Sequence, residues 1–367
     1  MQHTAKQGLT EGMSMSVSAQ HGVGSLLATA VPAFSVEEAH LLARDVFGLD
    51  AAVSELSGER DRNFHLRVNE TDHYVLKISN PAEDMQVTKF QTEALLHIAS
   101  LDPSLPVPRV HRTLGGETEW ILNRPGEGPR IVRVLTFLHG EPLHRVPSSA
   151  ALRRNLGRDL ARLDLALKGF SHPAAGHELM WDLKHASRIR DLLAHIPDAA
   201  QRALAERFLD NFEAHALPVL PRLRAQVIHN DMNPHNVLVS ADGSERIEGI
   251  IDFGDMVHAP LIGNLAVAAA YQPTTLDHPL TGAADITTAY NAVLPLEAAE
   301  IDILFDLIAT RMVLIVGISA WRAARYPENR DYILRNNPQA WTGLQRFDRL
   351  SRGEAQEHFH RACQRSE

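Results

Sequence analysis

The sequence is nearly devoid of cysteine. One residue, Cys363, stands in a chain of 367. A single thiol closes no internal disulfide, so nothing calls for an oxidising compartment. No His or Asp partner set surrounds it to make it reactive. Positive charge is also in deficit. The formal net charge is −9, whereas a nucleic-acid binder carries a basic field. Long apolar runs are missing too. The best, Met312 to Trp321, is bounded by Arg311 and Arg322 and suits a buried helix rather than a membrane span. The stretch Val23 to Val31 has too weak an apolar centre and too little basic lead to read as a signal peptide. The cytoplasm is therefore the default location. No internal repeat or low-complexity tract occurs. There is no Gly-x-x-x-x-Gly-Lys-Ser/Thr loop and no His-Glu-x-x-His pair.

What is present is an ordinary globular composition, 44% hydrophobic, in a chain too long for one small core. Residues 1–24, rich in Ser, Gln, Gly and Met, are expected to be disordered. A helix is expected from Ser35 to Phe47, with a Ser35/Glu38 capping box and Gly48 as its stop. Strands follow at Ala52–Leu56, Asn63–Val68 and His73–Ile78, then a helix at Met85–Ser100. After Pro103, Pro106 and Pro108 come strands at Arg109–Leu114, Glu119–Leu122 and Ile131–Phe137. From Ser148 the pattern is mostly helical: Ser148–Leu167, Ala186–Leu193, Ala199–Ala214, Leu296–Ala324 and Pro338–Leu350, with a strand-rich exception at Val227–Phe253. This is an α+β chain in two lobes, a strand-rich one over 25–138 and a mainly helical one over 139–367.

The chemistry concentrates in Val227-Ile228-His229-Asn230-Asp231-Met232-Asn233-Pro234-His235-Asn236-Val237-Leu238-Val239, followed by Ile250-Ile251-Asp252-Phe253-Gly254-Asp255. Between them, Ala241-Asp242-Gly243-Ser244 is a turn signal. Folded as a hairpin, the chain brings Asn236 near Asp252, and two hard oxygen ligands face one space, which suits Mg²⁺ and its triphosphate. Asp231, on the loop just upstream, is placed to accept a proton from an attacking hydroxyl. The spacing is that of His-x-Asp-x-x-x-x-Asn followed by Asp-Phe-Gly in kinases. Lys77, within the alternating run Tyr74 to Ile78, is the candidate triphosphate lysine, and Glu93 on the next helix its candidate ion-pair partner. The loop from Ser57 to Asn63 sits where a phosphate-covering loop belongs, though it holds a single glycine, Gly58. No Ala-Pro-Glu or long activation segment follows Gly254, which argues against a protein kinase.

These residues resemble the aminoglycoside phosphotransferase and choline kinase superfamily, and within it look most like 5-hydroxylysine kinases. The resemblance runs from Leu56 to Leu350. Its runs are Asp61-Arg62-Asn63-Phe64, Tyr74 to Ile78, Val134 to Gly140, Phe170-Ser171-His172-Pro173, Trp181-Asp182-Leu183-Lys184, Asp252 to Met256 and Tyr326 to Tyr332. It implies a protein-kinase-like two-lobe fold. It further implies Asp231 as catalytic base, Asn236 and Asp252 on Mg²⁺, Lys77 on the α/β-phosphates and Glu93 orienting Lys77. Thr136-Phe137-Leu138 would be the hinge that offers backbone groups to a purine, and GTP is the implied donor, while the residues themselves leave GTP and ATP both open. Asn230 departs from the glycine that relatives often carry.

An ammonium on the acceptor needs a carboxylate. Asp255 is the first candidate and Asp182 the second, although Asp255 also fits a helix cap before Leu261–Ala270. Trp181 and His235 are candidates to line the acceptor pocket. His229 suits a structural bond to the loop backbone. The expected activity is transfer of a γ-phosphoryl group to a hydroxyl of a hydroxy-amino acid or amino alcohol. Ethanolamine, aminopropanol, choline, homoserine and aminoglycosides are alternative acceptors. Aromatics at 6% are thin for a cage around choline. The rivals of another class are a nucleotide-binding pseudokinase and a metallohydrolase on His229, Asp231, His235 and Asp252.

Overall fold

The computed structural model describes residues 33–58, 60–124 and 128–364; the disorder expected for 1–24 lies outside them. Helix α1 (Val36–Phe47) starts and stops as its sequence dictates. Ser35 Oγ accepts from Glu38 N, the Glu38 carboxylate accepts from Ser35 N, and Gly48 closes the helix at φ 71°. Strands β1 (Ala52–Leu56), β2 (Arg62–Arg67) and β3 (His73–Ile78) follow, then α2 (Met85–Leu101), β4 (Val110–His111), β5 (Trp120–Leu122) and β6 (Arg130–Thr136). They form a six-stranded antiparallel sheet in the order β1-β2-β3-β6-β4, with β5 also on β6.

Side-chain alternation gives this sheet two functions. Phe64, Leu66, Leu76, Ile78, Val132 and Val134 point to one face and make a core with Ala39, Ala43 and Phe47 of α1. The alternate residues, Asn63 and His65, Val75 and Lys77, and Arg133, point to the other face. There Arg133 reaches Gln91 and Thr92 of α2. The polar face is therefore the one that can carry chemistry.

Past β7 (Glu141–Pro142) the chain is mainly helical: α3 (Ala150–Ala166), α4 (Ala199–Asn211), α5 (Ile262–Ala270), α6 (Thr281–Val293), α7 (Ala298–Arg325), the short α8 (Arg330–Ile333), α9 (Asn337–Phe347) and α10 (Arg352–Gln364). The expected helix at Ala186–Leu193 is instead a run of tighter 3₁₀ turns over Leu183–His195. Helices α6 and α10 were not expected at all. Helix α7 is 28 residues long and buried through most of its length. Among the described residues no helix is long and apolar enough to cross a membrane. Helices α3 and α6 approach so closely that a Cβ on Gly157 would lie 2.2 Å from Ile286 O. Arg153 and Asp285 bridge the same two helices at 2.6 Å.

Embedded in this lobe is the expected hairpin. β9 (Val237–Val239) pairs antiparallel with β10 (Ile247–Ile250), with Ile250 opposite Val237. β8 (Ala225–Ile228) pairs with β11 (Val257–Pro260). The loops between these strands hold Asp231 and Asp252.

Candidate active site

The loop after β8 is bent by Asn230, which adopts a left-handed φ of 64°, a conformation asparagine tolerates better than most residues. A buried chain of hydrogen bonds holds it there. Asn230 N donates to Asn264 Oδ1 at 3.0 Å, Asn264 Nδ2 to Asp164 Oδ1 at 2.7 Å, and Tyr290 OH to Asp164 Oδ2 at 2.7 Å. Burial pushes the Asp164 carboxyl up to about 7, against the pull of these donors. His229 does the structural task expected of it. Its Nε2 donates to Ile251 O at 3.1 Å and its Nδ1 accepts from Asp231 N at 3.3 Å. Burial keeps the ring below its ordinary pKa and hence neutral.

Asp231 is the centre of the arrangement. Its Oδ1 accepts from Arg311 Nη2 at 3.0 Å. Its Oδ2 accepts from Asn233 Nδ2 at 2.9 Å and from Asn236 Nδ2 at 2.8 Å. Burial and then the charge of Asp255 push its pKa up to about 6, while Arg311 and Asn233 hold it down. It is an anion at neutral pH with a proton affinity close to that range, the property a general base needs.

Ile251 N donates to Asn236 O at 2.9 Å, so Asn236 and Asp252 end adjacent strands of one ladder, as the turn spacing predicts. The Asn236 amide nitrogen is taken by Asp231, which turns its oxygen out as the atom left to bind a cation. Asp252 has a left-handed φ of 62° and presents its carboxylate to the cleft. Desolvation works to raise its pKa, but Lys77, Arg60 and the Gly254 amide outweigh it, and the group is held below the ordinary value. An ionised carboxylate beside an amide oxygen is a hard donor set that fits Mg²⁺. Among the described residues no three His, Cys, Asp or Glu side chains converge as a metal site.

Lys77 is aimed at this cleft, but not at Glu93. Its Nζ lies 3.5 Å from Asp61 Oδ2. Glu93 is 56% exposed and lies 3.8 Å from His172 Nε2. The reason is helical phase: Thr88, Gln91, Leu95 and Ile98 make the buried stripe of α2, and position 93 falls on the far side. Glu83, ahead of α2, lies within electrostatic reach of Lys77 instead, and burial and Asp61 push it up to about 7.

The remaining expected residues sort as follows. Asn63 faces Lys77 directly across β2 and β3, and its buried Oδ1 has no partner among the described residues. Ser57 is exposed. In the segment expected to form the hinge, Thr136 N donates to Arg109 O at 2.8 Å and Phe137 N to His73 O at 2.9 Å, so neither amide is free for a purine; Leu138 is half-buried beside them. Asp255 is not a helix cap, because β11 intervenes before α5; it pairs with Arg60 Nη1 at 3.0 Å. Asp182 is ion-paired to Lys184 at 2.8 Å and its side chain is 1% exposed, against 12% for Asp255. Trp181 lies under the Arg311 guanidinium at 5.0 Å. His235 packs on His144, ring to ring at 4.2 Å.

Arg60, Asp61 and Arg311 were missed as site residues. Arg311 had a readable signal, a charge at the edge of the apolar run Met312 to Ala320. A cluster of His65, His73, Phe137 and His139 beside this segment was missed as well; His65 Nε2 and His73 Nδ1 are 2.9 Å apart, and the Phe137 ring meets His65 at 4.6 Å, tilted by 52°.

Comparison with known proteins decides what this arrangement belongs to. A model of the phosphotransferase enzyme family matches residues 53–296, a span that holds every residue of the cleft named so far except Arg311. The chain belongs to the phosphotransferase enzyme family. It is a small-molecule kinase acting on hydroxyl groups. This phosphotransferase is 28% identical over 343 residues to the hydroxylysine kinase of Mus musculus, covering 87% of this chain and 91% of that one. It shares its fold with a microcompartment-associated aminopropanol kinase, with a TM-score of 0.67, 18% identity and coverage of 85% and 97%. A spectinomycin phosphotransferase in complex with ADP and spectinomycin has a TM-score of 0.57 and 14% identity, with coverage of 90% and 99%.

Proposed function

We propose that this phosphotransferase moves the γ-phosphoryl group of GTP or ATP to a hydroxyl on a hydroxy-amino acid or amino alcohol, with 5-hydroxylysine the first acceptor to test. The observation that carries the reading is the Asp231 carboxylate, ionised, hydrogen-bonded to Asn236, and within electrostatic reach of Asp255 and Asp252. The relatives named hydroxylysine kinase support the acceptor class. The cytoplasm is the compartment this reading assumes.

In this reading Lys77 contacts the phosphates and is oriented by Asp61. Asn236 and Asp252 hold Mg²⁺, which when bound offsets charge on the triphosphate. Asp231 orients the acceptor hydroxyl in line and takes its proton late in the transfer. Asp255 receives the acceptor ammonium. Catalysis rests on positioning and charge more than on covalent help.

The test is an acceptor screen with Mg²⁺ and either GTP or ATP, following nucleoside diphosphate release. The panel holds 5-hydroxylysine, ethanolamine, aminopropanol, choline, homoserine and an aminoglycoside. Turnover with 5-hydroxylysine, lost in Asp231→Asn, is the expected result. Turnover only with another amino alcohol would keep the kinase and replace the acceptor. Nucleotide binding without turnover on any acceptor would favour a pseudokinase.

A further inference from the structure

We propose that Arg311 is the positioning residue for the catalytic base, fixing Asp231 so that Oδ1 is the oxygen that receives the acceptor proton. The inference rests on the phosphotransfer reading given above. Arg311 sits midway along α7, between Thr310 and Met312, and is 1% exposed. A guanidinium in that setting is tolerated only if it is paired and hydrogen-bonded. Both terminal nitrogens are engaged, and only Nε finds no partner among the described residues. Nη1 donates to Trp181 O at 2.9 Å and Nη2 to Asp231 Oδ1 at 3.0 Å. The Tyr271 hydroxyl is 3.5 Å from Nη2. The rings of Trp181 and Tyr271 lie 5.0 and 5.9 Å from the guanidinium carbon.

The hydrogen bonds also choose between the two carboxylate oxygens. A carboxylate oxygen offers about two acceptor directions. Oδ2 has both filled, by Asn233 and Asn236. Oδ1 has one filled, by Arg311, and one left. The acceptor hydroxyl can therefore hydrogen-bond only at Oδ1. Arg311 cannot take the proton itself, since a guanidinium has donors and no acceptor. It is also too deeply buried to receive a carboxylate of the acceptor. Its task is to pin Oδ1, from a long helix packed into the core, against rotation of the Asp231 side chain. A lysine in its place would keep the charge and lose the planar fork.

The experiment is a cycle of Arg311→Met, Asp231→Asn and the double variant, with Arg311→Lys as a milder change. Each is followed by steady-state turnover, by Mg²⁺–nucleotide titration and by thermal unfolding. We expect Arg311→Met to lower kcat on the order of 10²-fold, with KM for both substrates within about threefold. Arg311→Lys should recover part of that loss. The double variant should be no slower than Asp231→Asn alone, because Arg311 acts through Asp231. The loss in melting temperature should likewise be smaller in the double variant than the sum of the single losses. Multiplying kcat losses, or a raised KM with kcat unchanged, would overturn the proposal. If the wild-type protein phosphorylates no acceptor, the phosphotransfer reading fails, and the melting cycle then decides the pairing alone, since additive losses would sink it.

Discussion

Lys77 Nζ is 3.5 Å from the Asp61 carboxylate, while Glu93, the partner its sequence position suggests, points to solvent on the far side of α2. The ion pair that Lys77 makes is with the loop preceding β2 and not with the helix. Glu93→Ala should therefore leave kcat/KM within about twofold, as for other exposed positions. Asp61→Asn should lower it by about tenfold or more, the order expected for a lost charge-assisted contact. Steady-state kinetics on the two variants checks this, and a reversed order would restore Glu93.

Asp231→Asn should cut kcat by roughly 10²- to 10⁴-fold, the range of a lost general base. Nucleotide affinity should stay within about threefold, because in the proposed function Asp231 contacts the acceptor and not the nucleotide. Calorimetric titration with the Mg²⁺–nucleotide separates the two effects.

Asp255→Asn should raise the acceptor KM by about 10- to 100-fold, the order of a hydrogen bond to a charged group. The effect should vanish with an acceptor analogue that lacks the amine. Equal losses with both acceptors would place the ammonium elsewhere.

Stability should depend on pH through Asp164. Its carboxyl rises from an ordinary value of 3.8 to about 7 in the folded chain, by burial first, with Tyr290, Asn264 and Arg224 opposing and Glu300 adding to the rise. The folded state binds this proton more tightly than the unfolded one. The contribution is thus fully present below pH 3.8 and is lost as the pH rises through about 7. The loss amounts to at most about 4 kcal/mol. Denaturant melts from pH 5 to 8 should show the decline, and Asp164→Asn should flatten it.

Gly157→Ala should destabilise the protein by about 1–3 kcal/mol, the usual range for overpacking, because its Cβ would meet the Ile286 carbonyl at 2.2 Å. An unchanged melting temperature would mean that α3 and α6 separate freely.

Much of the site was legible because its chemistry is written in short-range spacing. The turn at Asp242-Gly243 and the apolar runs beside it fix a hairpin, and that hairpin alone brings Asn236 to Asp252. Local patterning also placed α1 and the strands of the first sheet. What stayed hidden depends on phase and on distant packing. Glu93 reads as an inward residue until α2 is wound and Gln91 takes the buried stripe. Asp182 reads as an open carboxylate until Lys184 folds back onto it. Helix α6 was lost because Thr281–Val293, rich in Ala and Thr, has no side-chain cap and little contrast between its faces. Arg311 is 80 residues from Asp231 in the chain, and no spacing rule joins them.

The Arg60–Asp255 pair joins the loop after β1 to the segment after Asp252, and each partner is complementary to a different substrate. A guanidinium matches phosphate; a carboxylate matches ammonium. On the proposed function, whichever substrate arrives first would open the pair and leave the opposite charge without its counterion. The second substrate then meets a charge already in need of neutralising. The two affinities would thereby be linked, and by thermodynamic reciprocity each would be raised by the same factor. Nucleotide and acceptor should bind synergistically in calorimetric titrations, and Arg60→Met should make them independent.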